Sequence, residues 1–305
     1  MLPARRPALQ TVTDDVVAYR TGIVNVFLVG PPGAGDREWV LVDAGMPGYA
    51  DEIAEVAAKR FQAGARPVAI VLTHGHFDHV GSLQELAKRW EVRIFAHPLE
   101  IPYLTGYRAY PPPDPTVGGG LMALSSPLFP RGPFDFGDWV HELPTNGNVP
   151  GMPGWRWIHT PGHTEGHVSL WREADRALLA GDAFVTTQQE SAYAAFTQKP
   201  EVHGPPMYYT PDWVAAHESV KRLSMLNPNV AGTGHGIPYH GAALREALNL
   251  LARDFMEVAV PKRGRYVPYG LRPERPRTPT WKWGVAAGAV AGIAAGVAWR
   301  MRRER

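Results

Sequence analysis

Residues 73–81 concentrate the side chains that bind metal ions most often in proteins. Three histidines and one aspartate fall within six residues, at His74, His76, Asp78 and His79. The apolar run 68–72 precedes them and is typical of a buried strand, so they begin the turn at its carboxyl end, where open α/β sheets place their sites. Crowded imidazoles repel one another once they are protonated, and a bound cation stabilises them instead.

Three further side chains of the same kind follow other predicted strands. His163 comes after the strand 155–159, Asp182 after 177–180 and His235 after 230–232. Glycines beside all three permit tight turns. Five histidines and two aspartates suffice for two divalent ions that share a bridging carboxylate and a bridging water or hydroxide.

The composition leaves imidazole and carboxylate as the strong ligands. The 305 residues include 12 histidines and no cysteine, which excludes thiolate zinc sites, iron–sulfur clusters, disulfides and a cysteine nucleophile. Zinc is the default ion for such a ligand set, and manganese and iron are compatible with it. The 31 basic and 29 acidic residues give a net charge of +2, which argues against a nucleic-acid partner.

Strands and helices alternate in both halves of the chain, which is typical of the α/β class. Apolar and β-branched runs predict strands at 23–29, 39–42, 68–72, 92–96, 155–159, 168–171, 177–180 and 230–232. Helical periodicity predicts helices at 51–62, 82–90, 211–226 and 242–258. Residues 98–153 lack periodicity but are rich in proline, glycine and aromatic residues, and we interpret them as an ordered lid or substrate loop.

The order of these residues resembles that of a known family. His74-x-His76-x-Asp78-His79, followed by His163, Asp182 and His235, resembles the metallo-β-lactamase superfamily, and most of all its branch with glyoxalase II and the N-acyl homoserine lactonases. The resemblance spans residues 22–258 and implies a four-layer αββα sandwich formed by residues 1–260. Asp43, at the end of the strand 39–42, matches the position where the superfamily places a supporting carboxylate.

The resemblance also implies two metal ions, one on each side of a shared aspartate. The ligands would be His74, His76 and His163 for the first ion, Asp78, His79 and His235 for the second, and Asp182 for both. Two cations lower the pKa of a shared water from about 15.7 toward neutrality, and the bridging hydroxide would attack the carbonyl carbon of an ester, thioester or lactone. We expect Asp78 or Asp182 to carry the proton to the leaving group.

Two other functions are compatible with the same residues. Persulfide dioxygenases share the fold and hold one iron with a subset of this motif. A single iron, together with oxygen consumption on glutathione persulfide, would identify that oxidoreductase. The second alternative is a non-catalytic, membrane-tethered scaffold that keeps its metal for stability, as structural zinc does. Such a scaffold would turn over no substrate, and its melting temperature would depend on Asp182.

A second set of residues is predicted to support the ligands or to contact the substrate. These residues are Asp43, His167, Tyr193, His203, Tyr208 and His240. In lactonase-like relatives a tyrosine after the bridging aspartate polarises the substrate carbonyl, which makes Tyr193, Tyr208 and Tyr209 candidates. His203 and His240 lie on loops beside the predicted site. For each residue of this set, simple packing or surface exposure is the alternative interpretation.

The chain beyond residue 260 has a different composition. Residues 261–280 are basic and proline-rich, which is typical of a linker, and 300–305 form a basic tail. We interpret the apolar stretch 281–299, bounded by tryptophans, as a C-terminal transmembrane helix anchored in a lipid bilayer. Its glycines recur every four residues and favour a homo-oligomer through helix pairing: Gly284, Gly288, Gly292 and Gly296. No secretory signal opens the sequence, so we expect a membrane-anchored catalytic domain in the cytoplasm.

Overall fold

The structure is a computed structural model that describes residues 8–268. Its first sheet has seven strands whose spatial order follows the sequence. They are β1 (Leu9–Thr13), β2 (Val16–Thr21), β3 (Val24–Val29), β4 (Val40–Val42), β5 (Ala69–Val71), β6 (Ile94–Ala96) and β7 (Val140–Glu142). The first four strands pair antiparallel, whereas β4 to β7 are parallel neighbours.

The second sheet has five strands in the order β12-β11-β10-β9-β8. They are β8 (Trp155–His159), β9 (Val168–Arg172), β10 (Ala177–Leu179), β11 (Val230–Gly232) and β12 (Tyr239–His240). The pair β10 and β11 is parallel, and β9 runs antiparallel to both β8 and β10. Strands β8, β10 and β11 therefore point in one direction, and their carboxyl ends lie at one edge of the sheet.

Helices cover the outer face of each sheet. The α-helices of the described residues are α1 (Ala50–Arg60), α2 (Phe77–Val80), α3 (Leu83–Trp90), α4 (Ile101–Leu104), α5 (Leu121–Ser125), α6 (Ala192–Thr197), α7 (Trp213–Met225) and α8 (Gly241–Val258). Helices α1 and α3 share a hydrophobic core with the first sheet, and α7 and α8 share one with the second. A third core lies between the sheets. The order of layers is thus helix, sheet, sheet, helix, as the resemblance implies.

Strand β3 shows how the sequence produces these layers. Side chains of a strand alternate between the two faces of its sheet. Val26 and Leu28 belong to the core under α1 and α3, whereas Phe27 and Val29 belong to the core between the sheets. Because both faces are covered, the strand is apolar at nearly every position, as buried central strands are.

The elements predicted from the sequence are all present, with ends displaced by at most two residues. Strands β1, β2, β7 and β12 and the short helices were not predicted. Residues 98–153 are built from short helical turns and include β7, which adds to the first sheet beside β6. The predicted lid is therefore attached to the sheet through β7.

The predicted membrane anchor needs correction. No helix among residues 8–268 is long and apolar enough to cross a membrane. This finding contradicts the predicted transmembrane helix and the lipid bilayer as a partner, and we withdraw both. Residues 281–299, with the glycines Gly284, Gly288, Gly292 and Gly296, and the basic tail 300–305 lie outside the described residues.

Residues 261–268, which the sequence assigns to a linker, pack against the domain. Val267 is buried in the core beneath α7 and α8. The Tyr266 hydroxyl donates a hydrogen bond to the carbonyl oxygen of Pro112 at 2.7 Å, and the backbone N–H of Arg265 donates to the Asp114 carboxylate. These contacts attach the start of the predicted linker to the lid.

Candidate metal centre

The structure brings the seven predicted ligands together at the carboxyl ends of the strands. His74 to His79 follow β5, Asp182 follows β10, and His235 follows β11. All seven side chains are nearly or fully buried. Their ligand atoms form three overlapping groups, in each of which the atoms lie within 4.8 Å of one another: His74, His76 and His163; His74, His79 and Asp182; Asp78, His79 and His235.

The first group presents three nitrogens to one point. Nδ1 of His76 lies 3.1 Å from Nε2 of His74 and 2.9 Å from Nε2 of His163. Tetrahedral ligands with zinc–nitrogen distances of about 2.0 Å stand about 3.3 Å apart, so these separations suit a shared ion. Hydrogen bonds alone cannot satisfy these three nitrogen atoms, because each imidazole nitrogen offers either one hydrogen or one lone pair.

The surroundings fix where two of these imidazoles carry their hydrogen. The Thr73 hydroxyl donates to Asp43 Oδ2 at 2.8 Å, so it accepts from Nδ1 of His74 at 3.1 Å. Likewise the Thr210 hydroxyl donates to the Pro206 carbonyl oxygen at 2.8 Å and accepts from Nδ1 of His163 at 3.2 Å. In neutral His74 and His163 the lone pair is therefore on Nε2, the atom that faces the group.

The second group follows the same arrangement. Nδ1 of His79 donates to Asp43 Oδ2 at 2.8 Å, and Nδ1 of His235 donates to the Ile23 carbonyl oxygen at 2.8 Å. Their Nε2 atoms consequently face the centre of the group. Asp78 is the third member, and its Oδ2 lies 3.5 Å from Nε2 of His235. Residues distant in sequence thus orient His79 and His235.

Asp182 lies between the two groups. Its Oδ2 is 3.1 Å from Nε2 of His235 and 3.5 Å from Nε2 of His163, and its Oδ1 is 3.6 Å from Nε2 of His79. Both Oδ1 and Nε2 of His79 are buried without a hydrogen-bond partner among the described residues. Buried polar atoms without a partner are costly, and a cation between them would satisfy both. A Cβ at Gly234 would clash with Oδ1 and with the His79 ring, so a larger residue here would displace one of the two.

Burial and neighbouring charges divide the imidazoles into two classes. Burial, with repulsion from neighbouring imidazoles, holds the pKa of His74 and His76 well below its usual value, and burial lowers the pKa of His163 to about 3. Burial also opposes the charged form of His79 and His235, but the carboxylates, led by Asp182, raise the pKa of both overall. The first group is therefore ready to bind a cation, whereas the second must release protons to do so.

Comparison with known proteins agrees with this geometry. The model of the metallo-beta-lactamase superfamily matches residues 19–235. Over 236 residues the chain is 46% identical to the probable metallo-hydrolase YflN of Bacillus subtilis (strain 168), a match that covers 77% of this chain and 89% of that relative. The chain belongs to the metallo-β-lactamase superfamily.

Two further similarities are more distant. It is 32% identical over 160 residues to a hydroxyacylglutathione hydrolase of Alkalilimnicola ehrlichii, covering 50% of this chain and 48% of that protein. A beta-lactamase domain protein from Burkholderia ambifaria has a similar fold, with a TM-score of 0.56 and 20% identity over 84% of this chain and 75% of that one.

Two residues of the supporting set lie directly behind the ligands. Asp43 accepts hydrogen bonds from the Thr73 N–H, the Thr73 hydroxyl and His79, each at 2.8 Å. His167 donates from Nδ1 to the Thr160 hydroxyl at 2.9 Å, and its Nε2 accepts the backbone N–H of Asp182 at 2.8 Å. Asp43 thus orients a ligand of each group, and His167 fixes the backbone that carries Asp182.

Of the other members of the supporting set, only Tyr208 lies beside the site. Tyr208 is buried beside the site, where burial and then the charge of Asp78 raise its pKa well above the usual value. Tyr193 is 63% exposed on α6. His203 forms a bridge with Val185, and His240 pairs with the first residue of β11, at the sheet edge opposite His235. Among the described residues, Tyr193, His203 and His240 have no hydrogen bond or ring contact with the seven ligands.

Glu100 is a site residue that the sequence analysis did not identify. Its buried carboxylate accepts the backbone N–H of Gly75 at 2.9 Å and of Gly166 at 3.0 Å, the Thr164 hydroxyl at 2.6 Å, and the Tyr110 hydroxyl. It therefore joins both ligand-bearing turns of the first group to the lid. Glu100 follows β6 by four residues, so the strand-end position that marks the ligands could have identified it.

Proposed function

We propose that this protein is a binuclear metal-dependent hydrolase that cleaves an ester, thioester or lactone. The observation that carries the proposal is the position of the Asp182 carboxylate between two groups of ligand atoms, with its Oδ1 and Nε2 of His79 buried and unpartnered. The second group favours two ions over one, because a single ion on the first group would leave Asp78, His79 and His235 without a role.

The donor set suits zinc, manganese or iron in the divalent state, with zinc as the default. Two such cations would supply an acidified water at neutral pH and an electrophile for a carbonyl oxygen. The first would be held by His74, His76 and His163, the second by Asp78, His79 and His235, and Asp182 would contact both.

The chain itself contributes proton transfer and orientation. Burial raises the pKa of Asp78, so this carboxylate accepts a proton more readily than an ordinary aspartate and can pass it to a leaving group. Asp182 is the second candidate for this role, but burial is outweighed by the neighbouring imidazoles of His235 and His79, which hold its pKa well below the usual value. We therefore favour the Asp78 carboxylate as the proton carrier.

Two relatives support hydrolysis as the reaction class. YflN is described as a probable metallo-hydrolase, and the more distant relative is a hydroxyacylglutathione hydrolase. We carry over hydrolysis of an acyl group, which agrees with the glyoxalase II resemblance, and leave the natural substrate open. The fold alone hosts many chemistries, so the ligand geometry and these relatives carry the proposal together.

The test combines metal analysis with a substrate panel. The purified protein should contain about two divalent ions per chain, hydrolyse members of a panel of lactones, thioesters and aryl esters, and lose the activity on treatment with a chelator. Asp182→Asn should lower occupancy of one or both ions and cut hydrolysis at least about a hundredfold. Asp138→Asn, at an exposed aspartate of the lid, is the matched control.

The outcomes separate the proposal from its rivals. Wild-type metal content and rate in Asp182→Asn would refute the assignment of Asp182. A single iron with oxygen consumption on glutathione persulfide would identify a dioxygenase. Two bound ions without turnover of any panel member, together with a melting temperature lowered by Asp182→Asn, would identify a structural metal site.

A further inference from the structure

A cavity of about 150 Å³ opens beside the first ligand group. His76 and His163 form its floor, and Thr164 and Glu165 of the following turn form one side. The remaining walls come from the lid, from the turn before α7 and from Tyr266 in the segment 261–268. A cavity of this volume admits one benzene-sized group.

The lining is rich in flat apolar side chains. Tyr103 and Tyr110 stack with ring centroids 4.1 Å apart and an interplanar angle of 9°, and Tyr209 stacks on the His76 imidazole at 4.5 Å and 29°. Three prolines complete this lining: Pro111, Pro112 and Pro211. Aromatic and proline faces bind a ring through dispersion and apolar burial, with edge or offset contacts between the rings.

The charges in the cavity wall cancel. Arg108 and Glu165 are its side chains with a full charge, and Arg108 Nη1 donates to Glu165 Oε1 at 2.8 Å. The Tyr103 hydroxyl donates to the same oxygen at 2.8 Å, and the guanidinium lies over the Tyr103 ring at 4.9 Å. A charged group entering the cavity would have to compete with this pair, whereas an uncharged ring leaves it intact.

Tyr266 holds the outer wall in place. Its hydroxyl bonds to the Pro112 carbonyl oxygen, its neighbour Arg265 bonds to Asp114, and Val267 is anchored in the core. A segment that follows the last helix of the domain therefore contributes Tyr266 to the lining of the cavity, beside the lid residues.

We propose that this cavity binds an uncharged aromatic ring of the substrate, and that Tyr266 is a specificity-determining residue for that ring. The inference rests on the proposed hydrolysis for its kinetic readout. The substrate class that follows is a neutral ester, thioester or lactone carrying a ring next to the reacting carbonyl, on either its acyl or its alcohol side.

The experiment compares esters that differ in the ring while their leaving groups have similar reactivity. Benzyl acetate is set against ethyl acetate, and methyl phenylacetate against methyl acetate, so that the ring is tested on both sides of the carbonyl. In the metal-loaded full-length protein, Tyr266→Ala should raise KM for a ring-bearing ester about three- to tenfold and leave kcat and the ring-free esters nearly unchanged. Tyr266→Phe keeps the ring but loses the hydrogen bond to Pro112, so its rise in KM should be smaller than that of Tyr266→Ala.

The control is Tyr107→Ala, which removes a lid tyrosine that is 84% exposed and does not line the cavity. Binding of benzyl alcohol alone, measured by saturation-transfer NMR, gives a readout without turnover and should weaken in Tyr266→Ala. If that variant does not fold, Tyr266→Leu keeps the apolar bulk and should show a smaller rise in KM.

Two results would overturn the inference. One is equal KM for ring-bearing esters in Tyr266→Ala and wild type, with benzyl alcohol binding unchanged. The other is faster hydrolysis of 4-carboxybenzyl acetate than of benzyl acetate that disappears in Arg108→Ala, since the cavity would then select an anion. Failure of the wild type to hydrolyse any ester would count against the proposed function, while benzyl alcohol binding would still decide the role of the cavity.

Discussion

Replacing Asp43 by asparagine changes one oxygen to an NH₂ group at constant shape. Asp43 Oδ1 accepts the Thr73 N–H, and Oδ2 accepts both the Thr73 hydroxyl and Nδ1 of His79. The backbone φ of Asp43 is +61°, a left-handed conformation that asparagine also adopts readily. The substitution therefore tests the hydrogen bonds without adding backbone strain.

Either orientation of the new amide breaks part of this arrangement. With the NH₂ group at the Oδ2 position, a donor faces Nδ1 of His79, so the imidazole must accept there and carry its hydrogen on Nε2 instead. That atom faces Asp182 and would no longer offer a lone pair to a cation. With the NH₂ group at the Oδ1 position, the buried Thr73 N–H loses its acceptor, at a cost of about 1–3 kcal/mol.

The first orientation is favoured because it keeps the hydrogen bond from the backbone N–H of Thr73. It therefore determines the expected loss of metal affinity. Loss of such a supporting partner weakens metal affinity by about tenfold to a hundredfold, or about 1.4–2.7 kcal/mol. We expect the larger loss at the second ion, because His79 contacts Asp43 directly. The first ion should be affected less, because Asp43 acts on His74 only through the Thr73 hydroxyl, which would then face the NH₂ group. Competition with a chromophoric chelator resolves the two binding steps, and long-range ¹H–¹⁵N spectra of the metal-free protein report which nitrogen of His79 carries the hydrogen.

Asp36→Asn removes a carboxylate of equal size from an exposed pair with Arg66 and serves as the control. The reasoning fails if Asp43→Asn binds both ions with wild-type affinity while His79 keeps its hydrogen on Nδ1. It fails equally if both binding steps weaken to the same extent in the control, because a general charge effect would then explain the loss.

Two further predictions concern residues behind the ligands. Glu100→Gln should destabilise the protein by about 2–4 kcal/mol in urea unfolding, because two of the four buried donors would face an NH₂ group, and Glu100→Ala should cost more; equal stability of both variants and wild type would contradict this. Burial lowers the pKa of His167 from 6.5 to about 3, so the folded protein binds fewer protons than the unfolded chain between these values, and stability falls as pH drops below 6.5. Between pH 7 and pH 5 the metal-free wild type should lose about 2 kcal/mol more than His167→Gln, which keeps an acceptor but does not titrate; parallel pH profiles in urea titrations would refute it.

The sequence predicted that the seven candidate ligands would lie together because their positions obey a simple rule. His74, Asp182 and His235 each follow a short apolar strand directly, and strands that run in one direction end at one edge of a sheet. The prediction needed only residue type and strand ends. The same rule applies to Asp43 after β4 and to Glu100 after β6. Glu100 follows its strand by four residues, as His163 does, but it lies in the segment 98–153 that we interpreted as a lid, and for that reason it was not recognised.

Other features depend on contacts that a linear reading does not contain. Strand β1 is an edge strand with Leu9 exposed and polar residues among its five, so its alternation is too weak to stand out. The packing of Tyr266 against Pro112 joins residues 154 positions apart, and basic, proline-rich composition alone predicted a linker there. Composition also led to the membrane anchor, which the described residues do not support.

The direction of the hydrogen bonds is the feature that most clearly separates this site from a chance cluster of histidines. His74, His79, His163 and His235 all donate from Nδ1 to an oxygen, and the four oxygens belong to Thr73, Asp43, Thr210 and Ile23. A cluster stabilised only by internal hydrogen bonds would alternate donors and acceptors among its own members. In their neutral forms these four imidazoles direct the hydrogen outward and the lone pair inward, which leaves the centre electron-rich and in need of positive charge. In the metal-free protein the raised pKa of His79 and His235 partly meets this need with protons, and cations would take their place.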